Sequence, residues 1–368
     1  LTAASGAAAP SPPPKSKARI CVIFAGEAAD KSWCLSESKA AAIQKRLAEA
    51  EKNLGNVEFV TGQASTAEQT AKLLEKAGPD APVLAVSSDI FGLSRFNNED
   101  AVLPTVFKQG RPAAVFHLPV VGGHDWCLIK PWRDEGHRVA LFNTTDYNDL
   151  ERAAALLRVM PLLRTSRVLA SPPFKGTPAA HDPKQVKERL GVEMVAIADG
   201  RYDEVMAGVD DAAADRVAME WLDEAEGMVE PERDDVVKAA RASLTLDQMI
   251  EENGAAGLCV GTCMGWLPRG FPCLGFSRLN DQGIPAACDG DMDCQLTMLI
   301  FQHAYNQAAV LGNAGGDDTS NNAFHLSHSS APLRMEGPTS PRAPYLLRRH
   351  AEVRDGAVTE VHYRIGQK

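Results

Sequence analysis

From residue 18 onward, short apolar runs alternate with longer amphipathic stretches. Residues 19–25 form an apolar run of strand length, and residues 36–54 form a stretch rich in Ala, Lys and Glu that ends at Gly55. A short apolar run of this kind is typical of a buried strand, and a glycine directly after a periodic stretch is typical of a helix end. The pattern therefore predicts a strand followed by a helix.

The same alternation continues through the first 160 residues. Further strands are predicted at 57–60, 83–86 and 113–116, and Thr66 with Gln69 predicts a capped helix over 66–77. Strands that alternate with helices at this spacing form a parallel sheet covered on both faces. We therefore expect an α/β domain over residues 18–164 that is doubly wound and Rossmann-like.

The pattern restarts after a predicted helix at 146–163. Strands are predicted at 167–170, 194–198 and 257–260, separated by helices, two of them long and acidic. The acidic helices are interpreted as solvated faces. The restart places the domain boundary at 163–165 and predicts a second Rossmann-like domain over 165–287.

Residues 1–17 differ from the rest of the chain because they are rich in Ala, Pro and Ser. They offer little apolar surface to offset the entropy of ordering, so we expect them to be disordered. Two interpretations stay open: the remnant of an export leader, or a linker. The first predicts a periplasmic or secreted protein and the second a cytoplasmic one.

The overall composition restricts the classes of partner that the protein is expected to bind. A formal charge of −10 argues against nucleic acid or an anionic membrane as the main partner, and leaves a small molecule or a protein chain. No window approaches eighteen uninterrupted apolar residues, so no membrane span is expected. The eight cysteines are not evenly spaced as in a small disulfide scaffold, and a disulfide is expected only if the protein is exported.

The first domain offers two candidate ligand loops. Gly26 follows the first predicted strand without the G-x-G-x-x-G pattern, so no nucleotide cofactor is expected. Gly122 and Gly123 are followed by His124 and Trp126, which are candidates for substrate contact. The alternative is that this second loop is a surface turn.

Residues 271–332 hold the densest set of metal- and proton-handling side chains. A strand over 285–289 and a helix over 296–305 put Asp289 and Asp291 at a strand-to-helix junction, where open α/β folds bind ligands. Asp291 is a candidate metal ligand and Asp289 a candidate proton carrier, with helix capping as the alternative for both. His328 is the better ligand of the nearby histidines, because His325 would face the opposite side of a strand.

Two standard metal motifs do not fit this region. Cys259 and Cys263 would lie about 13 Å apart on a strand, so they chelate together only if the chain leaves the strand between them. Residues 289–293 open like a calcium loop but place Cys294 at the glycine position and Ile300 at the glutamate position.

Several short motifs in the second half of the chain resemble the L-fucose isomerase-like family of sugar isomerases, to which arabinose isomerases are distantly related. The likeness covers roughly residue 163 to the end, with upstream support from Glu226, 229–231 and 236–241. The motifs are Pro272-Cys273, Ser277-Arg278-Leu279-Asn280-Asp281-x-Gly283, Cys288-Asp289-x-Asp291, Leu296-Thr297-Met298, His328-x-x-Ala331-Pro332 and Arg334-Met335-x-Gly337-Pro338.

The resemblance implies a fold of two consecutive Rossmann-like doubly wound domains followed by a C-terminal β-rich domain. Residues 288–368 would then be the site-bearing start of that last domain, either truncated or completed by another chain. Family members are oligomers with sites at chain boundaries, so a homo-oligomer is implied.

The resemblance also implies aldose–ketose interconversion through an enediol that a divalent metal, usually manganese, stabilises. Its metal ligands are a Glu, an Asp and a His; the Asp corresponds to Asp291 and the His to His328. The family Glu has no counterpart, because the only acid within 260–287 is Asp281, so Cys273 or Asp281 would replace it. Asp289 stands where the family has Glu, and Ser329 where it often has Cys.

The sequence therefore predicts a sugar isomerase-like protein in which Asp291 and His328 bind metal and Asp289 is the acid/base. Arg278 and Arg334 either hold substrate oxygens or pair with local acids. The main alternative is a catalytically impaired relative that binds carbohydrate without turning it over. A thiol-based redox or zinc protein that draws on Cys259, Cys263, Cys273 and Cys288 is disfavoured because the sequence contains no C-x-x-C pair.

Overall fold

The computed structural model describes residues 16–26, 35–87, 101–118, 126–261 and 263–366, without the side chains of 126–128. The chain divides into two compact units, Lys15–Leu162 and Leu163–Lys368. Within the described residues no helix has the length and apolar character needed to cross a membrane.

The first unit contains a five-stranded parallel sheet. Its order is β2-β1-β3-β4-β5, so the winding direction reverses between β1 and β3. The expected α/β class with a parallel sheet is confirmed, and β5 adds a strand to the four predicted. The strands are β1 Ala18–Ala25, β2 Val57–Ala64, β3 Val83–Ser87, β4 Ala113–His117 and β5 Val139–Asn143.

Helices of the first unit cover both faces of this sheet. Successive residues of β1 enter two different cores. Ile20 packs with the helices over 37–54 and 148–157, whereas Cys21 packs with the helices over 67–77, 102–108 and 126–134. Each such buried side chain stabilises the fold by roughly 1.5–3 kcal/mol if it is large and apolar. The helices are α1 Glu37–Leu54, α2 Ala67–Ala77, α3 Val102–Lys108, α4 Trp126–Asp134 and α5 Asn148–Leu157, followed at the unit boundary by α6 Val159–Arg164.

The ends of these helices follow local sequence chemistry. The Ser36 side chain accepts a hydrogen bond from the backbone N–H of Lys39, and Gly55 ends α1 in the left-handed conformation. Thr66 caps α2 by accepting from the backbone N–H of Gln69, as predicted. Each cap satisfies backbone groups that the helix itself leaves unpaired.

The second unit is built on a four-stranded parallel sheet with the order β10-β9-β6-β7. The strands are β6 Arg167–Ser171, β7 Glu193–Ala196, β9 Gly257–Val260 and β10 Ala286–Ala287. The helices are α7 Pro178–His181, α8 Pro183–Leu190, α9 Arg201–Ala207, α10 Asp211–Glu224, α11 Arg233–Asn253, α12 Cys263–Trp266, α13 Cys273–Asp281 and α14 Met292–Tyr305, with a 3-10 turn at Leu267–Arg269.

Two smaller sheets complete the second unit. The two-residue strand β8 Gly227–Met228, which lies between α10 and α11, pairs in parallel with β13 Tyr345–Arg348. Strand β13 also pairs antiparallel with β14 Val358–Val361. The hairpin of β11 Asn313–Asp318 and β12 Ala323–Ser327 is separate and exposed. Residues after 288 therefore supply strands to one compact unit together with residues from 163 onward.

Candidate functional site

Two cysteines meet just beyond the carboxyl ends of neighbouring strands. Strands β9 and β10 are parallel neighbours in which Ala287 pairs with Cys259, so Cys288 emerges beside the end of β9. The chain leaves β9 after Val260 and starts α12 at Cys263. Both side chains are buried, and their Sγ atoms are 3.1 Å apart.

Two glycines allow the loops around these cysteines to pack closely. A Cβ on Gly261 would lie 1.8 Å from the carbonyl oxygen of Pro173, and a Cβ on Gly290 would lie 2.2 Å from the same atom. The backbone N–H of Gly261 donates to the Ser171 carbonyl at 2.7 Å, and that of Lys175 donates to the Gly290 carbonyl at 2.8 Å. The loop after β6 is thereby fastened to both cysteine-bearing loops.

Asp289 adopts an unusual backbone conformation beside the cysteines. Its φ is +59°, in the left-handed region that Asp tolerates better than most residues. One carboxylate oxygen, Oδ1, lies 3.7 Å from Cys263 Sγ and 3.9 Å from Cys288 Sγ. The other, Oδ2, lies 3.5 Å from Lys175 Nζ. Because Lys175 is largely exposed, this ion pair contributes little to stability, and its chief effect is on where the carboxylate points.

The two thiols differ in acidity. The pKa of Cys263 is lowered because its sulfur accepts hydrogen bonds from the Cys288 thiol and from the backbone N–H groups of Asp289 and Met264, and these outweigh burial and the nearby Asp289 charge. The pKa of Cys288 is raised by its hydrogen bond to Cys263 and by burial. Cys263 is therefore the first of the pair to become a thiolate.

These residues line one end of a cleft in the second unit. The cleft encloses about 850 Å³, a volume suited to a small molecule. Its wall combines apolar, hydroxyl, imidazole and charged groups. Polar lining residues include Cys263, Cys273, Cys288, Asp289, Ser327, His328, Ser329, Arg348, His350 and Glu352.

His328 reaches the cleft from the segment after β12. Its Nδ1 is 2.9 Å from the Ser330 hydroxyl, which leaves Nε2 as the ring nitrogen that Ser330 does not engage. Burial lowers the pKa of His328, and the Asp289 carboxylate partly opposes that effect. A neutral imidazole can accept a proton or bind a metal. The two predicted site residues Asp289 and His328 thus line the same cleft.

Asp291 has a different position from Asp289. Its Oδ1 accepts a hydrogen bond from the backbone N–H of Cys294 at 2.8 Å, so the side chain caps α14. Asp291 lies outside the set of described residues that line the cleft. Its assignment as a metal ligand stays a prediction, and capping is the role its contacts support.

The two residues considered as replacements for the family Glu also have distinct surroundings. Cys273 lines the cleft, accepts a hydrogen bond from the Ser329 hydroxyl at 3.3 Å, and has a pKa raised by burial to about 12. Asp281 is buried and accepts from the backbone N–H groups of Leu333 and Arg334, both at 2.7 Å. Burial raises the pKa of Asp281 to about 6, against the effect of those donors.

The two arginines predicted to contact substrate lie outside the described residues that line the cleft. Arg278 forms a buried ion pair with Asp247, and Arg334 donates to the Ser340 carbonyl. Both arginines therefore have local partners. His124 lies outside the described residues, and Trp126 is the first residue of α4 with a side chain outside the described set.

The sequence does not single out the contact between Cys263 and Cys288. It considers Cys263 first as a partner of Cys259, which lies on β9 itself, and then as one of the four cysteines of a disfavoured thiol-based redox or zinc protein. In the structure the chain leaves β9 before Cys263, and the sulfur of Cys263 lies next to that of Cys288. Cys263 follows one predicted strand and Cys288 lies near the end of another, so bringing them together requires knowing that β9 and β10 are neighbours.

Comparisons with known proteins add no functional assignment. No protein-family model matches the chain, and no curated protein matches it. One solved structure that is similar is described as a two-component system response regulator/GGDEF domain protein, at 10% identity, covering 77% of this chain and 96% of that one, with a TM-score of 0.31. A likeness this weak carries no argument about fold or function, so a function has to be inferred from the geometry of the cleft.

Proposed function

We propose that the cleft is the active site of a sugar isomerase-like protein that interconverts an aldose and a ketose through a metal-stabilised enediol. The observation that carries the proposal is that Asp289 and His328, from separate segments, line one cleft large enough for a small sugar. The adjacent thiols add metal-binding donors to the same wall. The motif resemblance supplies the reaction type.

Each group in the cleft has a distinct part in this proposal. A divalent cation, when bound, polarises the carbonyl and hydroxyl oxygens of the substrate. Asp289 belongs to the donor cluster with Cys263 and Cys288 and supplies the carboxylate at that end of the site. We assign the proton transfer to His328 in place of Asp289, the acid/base predicted from the sequence, so this role replaces the predicted metal-ligand role of His328. Oriented by Ser330, His328 takes the proton from C2 of the aldose and returns it to C1, while the C2 hydroxyl proton passes to the carbonyl oxygen at C1. Ser327 and Ser329 offer hydroxyl groups that can hydrogen-bond a polyol.

The fold and assembly expectations also belong to this proposal. Both parallel sheets, with orders β2-β1-β3-β4-β5 and β10-β9-β6-β7, support two Rossmann-like domains. Phe324 and Leu326 are exposed on β12, and Leu326 lines the cleft, which supports a second copy of the chain at the rim.

The test is incubation of a panel of aldoses with the full chain in deuterated water, with added manganese or zinc. For at least one sugar we expect ketose formation, with deuterium at C1 of the ketose and, through the reverse reaction, at C2 of the recovered aldose. His328→Gln should lower the rate by about 10²–10⁴-fold, since it removes the group that moves the proton. The matched control is His325→Gln, because His325 is exposed on β12 three residues away and should leave the rate unchanged.

A carbohydrate-binding protein without turnover is the second candidate, favoured by the lack of a carboxylate at the family Glu position. It predicts that a sugar raises the melting temperature of the protein while no deuterium enters any sugar. Deuterium at C2 that survives His328→Gln would instead reject the role given to His328.

A further inference from the structure

The arrangement of Cys263, Cys288 and Asp289 goes beyond the oxygen-rich metal site that the resemblance implies. We propose that these three side chains bind a thiophilic divalent cation, zinc, with a fourth position open to the cleft. The inference rests on the proposed function for the role of the metal, but the binding itself is measurable without turnover.

The distances between the donors fit a tetrahedral zinc site after a small adjustment. The two sulfurs and a carboxylate oxygen all lie within 4.8 Å of one another. Tetrahedral bonds of about 2.3 Å to sulfur and 2.1 Å to oxygen put sulfur and oxygen about 3.6 Å apart and two sulfurs about 3.8 Å apart. The observed sulfur-to-oxygen distances are 3.7 and 3.9 Å. The sulfurs, at 3.1 Å, need to separate by about 0.7 Å to reach this spacing.

The donor types select the metal. Two thiolates are soft ligands that favour zinc over manganese, calcium or magnesium, which prefer oxygen. Separate sulfurs at 3.1 Å are also well beyond the roughly 2.05 Å of a disulfide. The pair therefore has the geometry of two free thiols sharing a site.

The surrounding contacts hold the donors in place. Gly261 and Gly290 lock the two loops against the segment after β6. The Lys175 ammonium group lies near Oδ2 of Asp289, so Oδ1 is the oxygen that remains on the sulfur side. Orientation of ligands by a second set of contacts is a regular feature of metal sites.

Three protein ligands and an open position are the pattern of catalytic zinc sites, whereas structural sites use four. All three residues line the cleft, and His328 lines it as well. The open position therefore faces the space where a substrate oxygen would lie. The site as proposed differs from the Asp291–His328 pair in both its residues and its metal.

The experiment is metal titration of the full chain, reduced and stripped with a chelator, using zinc and then cobalt as a spectroscopic substitute. We expect one equivalent of tightly bound zinc and, with cobalt, the intense near-ultraviolet absorption of a thiolate-to-metal transition. Wild-type protein alone suffices for this readout, so it does not depend on any variant folding.

Variants then assign the ligands. Cys263→Ser and Cys288→Ser should each weaken zinc binding more than roughly tenfold and reduce the thiolate absorption. Asp289→Asn should weaken binding but keep the absorption, because both sulfurs remain. Cys294→Ser is the control, because Cys294 lies nearby at the start of α14 but outside the cluster. This variant should bind zinc as tightly as the wild type does.

Two results would overturn the site. One is zinc binding that is absent in reduced wild type; the other is binding unchanged in both serine variants of the pair. The isomerase proposal fails independently, through the absence of deuterium in every sugar. Bound zinc without deuterium exchange would therefore reject the isomerase reaction and support the zinc site. Deuterium exchange without the thiolate absorption would support the reaction and reject the zinc site.

Discussion

The carboxyl edges of the two parallel sheets hold polar residues in different ways. In the first unit, Ser87, His117 and Asn143 lie side by side in register at the last positions of β3, β4 and β5. His117 is buried, and its Nδ1 is 3.1 Å from Asn143 Oδ1. In the second unit, Cys263 lies at the start of α12 and Cys288 in the loop after β10, both just beyond the strand ends.

The two sheet edges differ in how the backbone places their polar side chains. Residues within a ladder have fixed spacing, so a polar row there pairs with its own neighbours and stabilises the sheet. Residues one to three positions past the ladder are placed by loops, which can bring several donors to one point. The second arrangement brings the three donor side chains of the candidate metal site to one point.

Two arginines with buried partners give the largest expected contrast between the units. Arg278 pairs with the buried carboxylate of Asp247. Arg158 interacts with the Glu151 charge, but two of its hydrogen bonds go to neutral acceptors, the Leu54 carbonyl and Asn56 Oδ1. Arg278→Met should cost about 3–5 kcal/mol of unfolding free energy because Asp247 becomes an unpaired buried charge. Arg158→Met should cost about 1–3 kcal/mol. Urea denaturation of both variants measures this, and a larger loss for Arg158→Met would contradict it.

Glycine replacements give the next effect. Gly261→Ala forces a Cβ against the Pro173 backbone, which cannot rotate away, and should cost about 3 kcal/mol. The atoms nearest to a Cβ on Gly62, in the first unit, belong to the Leu73 side chain, which can change rotamer, so Gly62→Ala should cost about 1 kcal/mol. Thermal melting distinguishes the two. Equal melting temperatures would show that the loops around Cys263 yield more easily than the contacts indicate.

The pH dependence of the unfolding free energy gives the smallest effect and distinguishes two carboxylates of the second unit, Asp281 and Asp289. The pKa of Asp281 is raised to about 6 by burial, so the folded protein binds more protons than the unfolded chain between about pH 4 and 6. Asp281 therefore favours folding below pH 4, and that contribution, roughly 2–3 kcal/mol, is lost as pH rises through 6.

Asp281→Asn keeps an acceptor for the backbone N–H groups of Leu333 and Arg334 but cannot ionise. Its unfolding free energy should lose this pH dependence, measured by urea denaturation at several pH values. Asp289→Asn, at the cleft, is the comparison variant and should retain it. If Asp281→Asn kept the wild-type pH dependence of the unfolding free energy, a group other than Asp281 would be its cause.

Local patterns in the sequence predict much of the fold. The strands near 19–25, 57–60, 83–86 and 113–116 are confirmed because apolar runs bury themselves wherever the sheet order places them. Helix α1 ends at Gly55 as predicted, since a left-handed glycine is a local requirement. The strand predicted over 285–289 is shorter than expected, because Asp289 already has a positive φ.

The candidate site is only partly accessible from the sequence. Asp289 and His328 can be found because acids at a strand-to-helix junction and a histidine at a strand end are recognisable along the chain. The pairing of Cys263 with Cys288 depends on β9 and β10 being neighbours, which is a property of sheet order and not of spacing. Helix capping by Asp291 is an alternative that the sequence already offers, but choosing it requires knowing that α14 starts at Met292.

The pairing of β8 with β13 constrains the order of folding. Gly227 aligns with Leu346, so a strand near the end of the chain closes a sheet begun about 120 residues earlier. Buried Tyr345 and Leu347 join the core formed by α10 and α11. Contacts between such distant residues form slowly, because a long loop must close before they are made. During synthesis, the second unit can complete this core only after residues 345–348 have left the ribosome, whereas the sheet of the first unit needs nothing beyond Asn143.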